Sequence, residues 1–421
     1  MTRKVLAAAA VLAASAVLPA AQAQADCGSI SGYGSGTVYY ISPGGSITNT
    51  GTSCDSPWPM DKASAVRQPG DTVAFQGGAT FSPSLSLQGE SGTSSEPIYY
   101  TSYGTGAANL TGGVWLRSVS YLELTGLNIS SSNTPGVHTS GSGTGARYIT
   151  LVGDAITSSY DDAIGGYGVS AVNSLDISWT IDNNTIANTA DAGVVDHAGG
   201  PVQIDGNTFT NNGIGTHCGP PSTPGVNPCH AIYAKAPNVT VIGNRITNPQ
   251  TAGVSLRFQN NDIENNVITG GQKGVAFSSE TTTPGVSYVK NNTITGQSDT
   301  ALLMYPGTQP EYESLDAEGN TLSASGYDVF LKSGPSSGTT QTVTLAGNSF
   351  AARPGMLGYL NLAYPVGFTA QTYREHNDTF CGVAPSGLWW YINGSARTWS
   401  TYTNWFGLHT EGNGDTVTSN C

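Results

Sequence analysis

A short turn built around one residue recurs along this chain and limits what it can fold into. The segments are LTGLNI, LVGDAI, DNNTI, DGNTF, IGNRI, ENNVI, KNNTI, EGNTL and AGNSF. Their aligned positions are Leu127, Asp154, Asn184, Asn207, Asn244, Asn266, Asn292, Asn320 and Asn348, spaced 27, 30, 23, 37, 22, 26, 28 and 28 residues apart. Two places after each stands Ile, Phe or Leu. Between the turns run short stretches of period-two alternation. In HAIYAK, Ile232 and Ala234 share one parity and Tyr233 and Lys235 the other; in AGVSLRF, Val254 and Leu256 oppose Ser255 and Arg257. Such alternation marks strands with one buried face. Three short strands and one bend per repeat predict an all-β, right-handed parallel β-helix, a solenoid whose coils stack. Asn is read here as the left-handed residue of the bend, able to hydrogen-bond from coil to coil. An antiparallel sandwich would not give one Asn bend per repeat, and 55 Gly with only 10% charged residues fit a turn-rich β protein.

The flanks divide the chain. Residues 1–25 read as a secretory signal peptide: basic Arg3-Lys4, an Ala-rich apolar run, and small-residue cleavage sites up to Ala25. Residues 26–120 read as an N-terminal cap and first coils, with a capping helix over Ser56–Val66 started by Ser56 or Asp61. Residues 121–365 hold the coils. Residues 366–421 lose the Asn turn and read as a C-terminal cap, its core formed by Trp389, Trp390, Trp399 and Trp405. Six Cys in an exported chain imply disulfides, and proximity favours Cys27–Cys54, Cys218–Cys229 and Cys381–Cys421. No CxxC is present, and His197, His217 and His230 lack metal-ligand spacing, so no metal site is expected. A net charge of −13 excludes nucleic acid as a partner. No later segment is apolar enough to span a bilayer, and two closed caps favour a monomer. The expectation is a secreted protein, extracellular or periplasmic.

On so acidic a chain a local group of cations is informative. Lys235 and Arg257 are 22 positions apart, which places them side by side on adjacent coils. The outward positions of successive strands read Ser140, Tyr167, His197, Lys235, Arg257, Ser278, Tyr305 and Lys332; two places earlier they read His138, Gly165, Val195, Tyr233, Ser255, Ala276, Leu303 and Phe330. The 37-residue spacing before Asn244 exceeds its neighbours by one loop, NNGIGTHCGPPSTPGVNPC. A Cys218–Cys229 staple across it would set His217 and His230 on either side. Rings and cations in line suit a long anionic chain such as a uronic-acid polysaccharide.

The chain resembles the secreted parallel β-helix proteins of the pectin-lyase-like superfamily. The motif H-A-I-Y-A-K ending at Lys235, with S-L-R ending at Arg257 one coil later, is similar to the Lys and Arg of polysaccharide lyase family six, the alginate lyase and chondroitinase B type. The resemblance implies cleavage by β-elimination, with Lys235 as base and Arg257 neutralising the substrate carboxylate. A Lys beside an Arg should have a lowered pKa, as a general base requires. Tyr233, His230, His197 or His217 would supply the proton, and Tyr167, Tyr305 and Lys332 would line the groove. The family holds calcium on acidic residues ahead of the Lys. Here that place reads Asn227-Pro228-Cys229-His230 without a carboxylate, so no cofactor is expected. Two alternatives stand beside this reading. One is a polygalacturonase-like hydrolase using Asp161 and Asp162, with Asp191 and Asp196-His197 one coil on; the other is a non-catalytic carbohydrate-binding protein.

Overall fold

A computed structural model of the chain describes residues 27–418, except 29, 31–32, 66, 140–144, 161–166, 220–227, 307–312, 332–341, 354–355, 363–372, 383–389, 393–394 and 398–413. The described residues wind into three sheets of 13 strands each. The first sheet runs from Val38–Ile41 through Val119–Thr125 and Ala146–Val152 to Tyr373–His376. The second runs from Thr80–Phe81 to Thr416–Thr418, and the third from Leu85–Gln88 to Ser395–Arg397. Within a sheet each strand pairs in parallel with the strand one coil away; the pair Trp390–Ile392 and Ser395–Arg397 is antiparallel. The fold is the right-handed parallel β-helix that the repeat predicts.

The core is a set of stacked apolar columns, one from each sheet. The residue two places after each turn forms one of them: Ile129, Ile156, Ile186, Phe209, Ile246, Ile268, Ile294, Leu322 and Phe350 are all essentially inaccessible to solvent. The turn residue itself is buried too, and this is what locks coil to coil. The Oδ1 of Asn244 accepts from the backbone N–H of Asn207 at 2.9 Å and from its Nδ2 at 3.0 Å. The Nδ2 of Asn244 donates to the carbonyl of Ile204 at 2.8 Å. The same bonds repeat through Asn184, Asn207, Asn266, Asn292, Asn320 and Asn348. The ladder is capped by carboxyls, Asp154 at one end and Asp378 then Asp415 at the other.

The left-handed conformation falls elsewhere than expected. It belongs to the residue before each ladder position: Asn183, Gly206, Gly243, Asn265, Asn291, Gly319 and Gly347 all have φ between 52° and 67°. The ladder Asn is retained for its amide, and its predecessor makes the bend.

Three further expectations meet the structure. Helix does not form over Ser56–Val66; one 3-10 turn, Met60–Lys62, stands in its place. Pro57 and Pro59 bracket Trp58, whose N–H donates to Tyr40 O and whose carbonyl accepts from Ser42, so the segment runs beside the first strand instead. Trp58 also stacks on Tyr39, with ring centroids 5.1 Å apart. Cys27–Cys54 and Cys218–Cys229 are bonded as expected. The partner proposed for Cys381, Cys421, lies outside the described residues, as do the signal segment and the side chains of the four cap tryptophans. The stack continues past Leu362, because Asp378 takes the ladder position in EHNDTF and strands Tyr373–His376 and Thr379–Cys381 flank it.

Replacing Asn244 by Leu removes these bonds inside a dry core. An orphaned buried amide costs roughly 1–3 kcal/mol, so Asn244→Leu should lose about 2–3 kcal/mol of unfolding free energy in denaturant melts, with far-UV circular dichroism unchanged. Asp154 gives a pH signature. Burial raises its carboxyl from 3.8 to about 8, against the Leu127 hydrogen bond that lowers it. The folded state therefore holds a proton that the unfolded chain releases, and its contribution to stability falls as pH rises from about 4 to 8. Asp154→Asn should thus gain stability on the parent as pH is raised from 5 to 8; a gap that does not widen with pH would refute the assignment.

Candidate active site

Four parallel strands of the third sheet build the site: Val194–Asp196, Ile232–Ala234, Ala252–Leu256 and Lys273–Ser279. Their register aligns Val195, Tyr233, Ser255 and Ala276, as the alternation predicts. Apolar Val194, Ile232, Val254 and Val275 anchor the same strands in the core. His197, Lys235 and Arg257 follow at the strand ends, where backbone pairing persists: Lys235 N–H donates to Asp196 O at 2.6 Å and Arg257 N–H to Ala234 O at 3.0 Å. A rigid sheet thus sets the two cations one coil apart.

A carboxylate joins them. Glu280 Oε2 lies 2.9 Å from Lys235 Nζ, and Glu280 Oε1 lies 3.3 Å from Arg257 Nε. Arg257 is nearly buried; its Nη1 donates to Ser255 Oγ at 3.1 Å, and its guanidinium lies 5.0 Å from the Tyr233 ring centroid. Lys235 Nζ lies 5.8 Å from the same ring. His230 stacks on Tyr233 at 5.4 Å and His197 meets it edge-on at 5.9 Å. Tyr233 is therefore surrounded by both cations and two imidazoles.

The charges differ from the expectation for a primed lysine. Burial pulls the Lys235 pKa down, but hydrogen bonds to Glu280 and Tyr233 and the Glu280 charge outweigh it, and the net shift is upward. The neighbouring Arg257 does not prevail, because the Glu280 carboxylate lies directly against the Lys235 ammonium, at 2.9 Å. The imidazoles behave oppositely. Burial, reinforced by Arg257 and Lys273, lowers His230 to about 3. Burial and Lys235 lower His197 as well, against Glu280. Both are neutral at physiological pH, and neither ring nitrogen of His230 has a hydrogen-bond partner.

Beside this group opens a cavity of about 210 Å3, walled by Tyr167, Asp191, Val195, His230, Tyr233 and Arg257. Its far wall is a second network. His217 Nε2 lies 3.6 Å from Asp191 Oδ2, and burial raises the Asp191 carboxyl despite the His217 charge. The Cys218–Cys229 bond fixes His217 and His230 against this wall, as the loop composition implied. Asp191, His217 and both sulfurs lie within 4.8 Å of one another. The sulfurs are bonded to each other, so one carboxylate and one imidazole remain, too few for a metal. Calcium would need six to eight oxygen ligands. Among the described residues Glu280 and Asp191 reach the site, Glu280 bridging Lys235 and Arg257 and Asp191 facing His217, so such a set is not assembled.

Most predicted residues converge here; Tyr167 falls out of its predicted register, and Tyr305 keeps its register but stands away from the group. The register pairs Val195 with Ser170 and not with Gly165, so Tyr167 precedes the strand Val169–Ala171 and stands beside Asp191 through the Gly168 N–H bond to Ala192 O. Tyr305 pairs with Ser278, two coils beyond Arg257, and packs on an outer cluster of Ala252, Ala276 and Leu303. Lys332, Ser140, Gly165, Asp161, Asp162 and Asn227 lie outside the described residues. Sequence reasoning missed Glu280. The spacing that linked Lys235 to Arg257 at 22 residues repeats almost unchanged, at 23, from Arg257 to Glu280.

A right-handed solenoid of parallel coils is also what comparison with known protein families finds. The family model described as "Right handed beta helix region" matches residues 112–322 and 230–356, and the chain belongs to that family. No curated protein sequence matches it. Similar solved structures include pectate lyase Pel9A, at 14% identity over 89% of this chain and 85% of that one, with a TM-score of 0.50. XylC in complex with xylose aligns at 9% identity over 91% and 86%, with a TM-score of 0.58. A mannuronic-acid-specific polysaccharide family 6 lyase from human gut microbiota aligns at 15% over 85% and 83%, with a TM-score of 0.50. At these identities the likeness is one of fold.

The bridge itself is testable. Glu280→Gln removes the charge that raises Lys235, so the pH midpoint for acylation of Lys235, followed by peptide mass spectrometry, should move down from the parent's. An unchanged midpoint would show that Glu280 does not set the lysine's protonation.

Proposed function

We propose that this protein is a secreted polysaccharide lyase that cleaves a uronic-acid polymer by β-elimination. The observation that carries the reading is the Lys235–Tyr233–Arg257 group, ordered on two adjacent strands beside an open cavity. The disulfides Cys27–Cys54 and Cys218–Cys229 and the leader-like first residues support export. Among the described residues no helix is long and apolar enough to cross a membrane.

In this mechanism the substrate carboxylate takes the place of Glu280 at Arg257, which stays charged and offers a planar fork. Deprotonated Lys235 removes the proton at C5. The electron pair becomes the C4–C5 double bond, the C4–O4 bond breaks, and O4 takes the Tyr233 phenol proton. His230 and His197, held neutral by burial, add no competing positive charge and keep the Tyr233 ring in place.

Ultraviolet absorbance of the C4–C5 double bond on a panel of uronic-acid polymers tests this. Lys235→Ala and Tyr233→Phe should each lower kcat by at least about 100-fold, the usual span of one proton-transfer group, without loss of fold. Because Lys235 is raised, kcat/KM should climb with pH beyond neutrality instead of levelling near 7. A second reading, hydrolysis, rests on Asp191, which lines the cavity with the raised pKa of a general acid. New reducing ends without absorbance, lost in Asp191→Asn, would establish it; neither signal on any polymer, with binding retained, would leave a non-catalytic carbohydrate-binding protein.

A further inference from the structure

The first sheet carries a second groove that the proposed chemistry does not use. Tyr121, Tyr148 and Ser178 have φ of 52°, 55° and 54° in mid-strand. The pairings Leu122 with Ile149 and Ile149 with Trp179 place these kinks at one level on three successive coils. A left-handed tyrosine is strained, by roughly 1–3 kcal/mol each, yet the chain repeats it. The effect is to swing the two rings outward and stack them, with centroids 4.3 Å apart and planes within 8°. Tyr121 covers one face of Tyr148. The next coil offers only Ser178, too small to cover the other, and Tyr148 remains 40% exposed.

That open face borders a cavity of about 280 Å3, larger than the one at the cationic site. Its floor is a row of hydroxyl and carboxyl side chains, Glu123, Thr150 and Thr180, which the register sets side by side on consecutive coils. Among the described residues no Lys or Arg lines it; Arg147, next to Tyr148 in the chain, is exposed but stands outside it. A carboxylate with no cation, on a chain of net charge −13, repels anionic polymers. An aromatic face over hydrogen-bonding groups matches the apolar C–H face and hydroxyl edge of a sugar.

We propose that this groove binds an uncharged polysaccharide, one sugar stacking on the open face of Tyr148 while Glu123, Thr150 and Thr180 hydrogen-bond its hydroxyls. The site would hold the protein on a neutral polymer that accompanies its substrate, and it stands on its own geometry whatever the chemistry at Lys235.

Affinity electrophoresis of the full chain in native gels tests it, with hydroxyethylcellulose, arabinoxylan or galactomannan in the gel and polygalacturonate and alginate for comparison. At least one neutral polymer should retard the parent. Tyr148→Ser, which repeats the residue already tolerated at Ser178, should weaken the retardation at least tenfold. Ser178→Tyr, which extends the stack over the open face, should do the same without removing a ring, and it decides the matter if the first variant fails to fold. Lys235→Ala should leave retardation intact. No retardation by any neutral polymer, retardation by the uronates alone, or full retardation of Ser178→Tyr would each overturn the proposal.

Discussion

The side-chain amide at each turn is the interaction on which the structure depends. A parallel solenoid must turn a corner several times per coil, and every corner removes backbone N–H and C=O groups from the sheets. Buried and unpaired, each such group would cost about as much as a hydrogen bond is worth in a dry interior. The Asn column answers this by satisfying the N–H of the coil before and a carbonyl from that same coil with one planar group. Its geometry also allows only one register between coils. Register slips, the usual weakness of sheets, would break every rung at once.

That fixed register makes the cationic cleft possible. Lys235 and Arg257 repel one another, and a flexible loop would let them separate. Here their backbones are held one coil apart, so relief comes from Glu280 bridging both. The arrangement is a preorganised one, since the cations stand in place before any ligand arrives and only the bridging carboxylate has to move. The neutrality of His230 and His197 follows from the same burial and the same positive neighbours.

What was legible in the sequence follows this division. The repeat, the strand alternation and the pairing of Tyr233 with Ser255 are properties of a lattice, and a lattice shows itself as a period. The errors lie where the lattice ends. SPWPMDKASAV has helical composition, but strand pairing at Trp58 and two prolines override it. Tyr167 was misplaced because its strand, Val169–Ala171, starts two residues after it, so the period-two count was anchored outside the strand. Glu280 sits past a strand end, where inward and outward no longer alternate, and without it the sign of the Lys235 shift came out reversed. Asp378 was missed because the region after residue 365 was read as having lost the turn, although Asp154 already showed that the position requires only an oxygen that accepts.

The same lattice explains why strain is informative here. A β-helix has an easy solution for every corner, Gly or Asn in the left-handed region, and this chain uses it repeatedly. Tyr121 and Tyr148 decline that solution in mid-strand, where no corner is needed, and on consecutive coils. Packing does not require it, since the rings point away from the core that Leu122 and Ile149 already fill. A residue kept in a costly backbone conformation, outside the core and beside an open cavity, contributes to something other than folding.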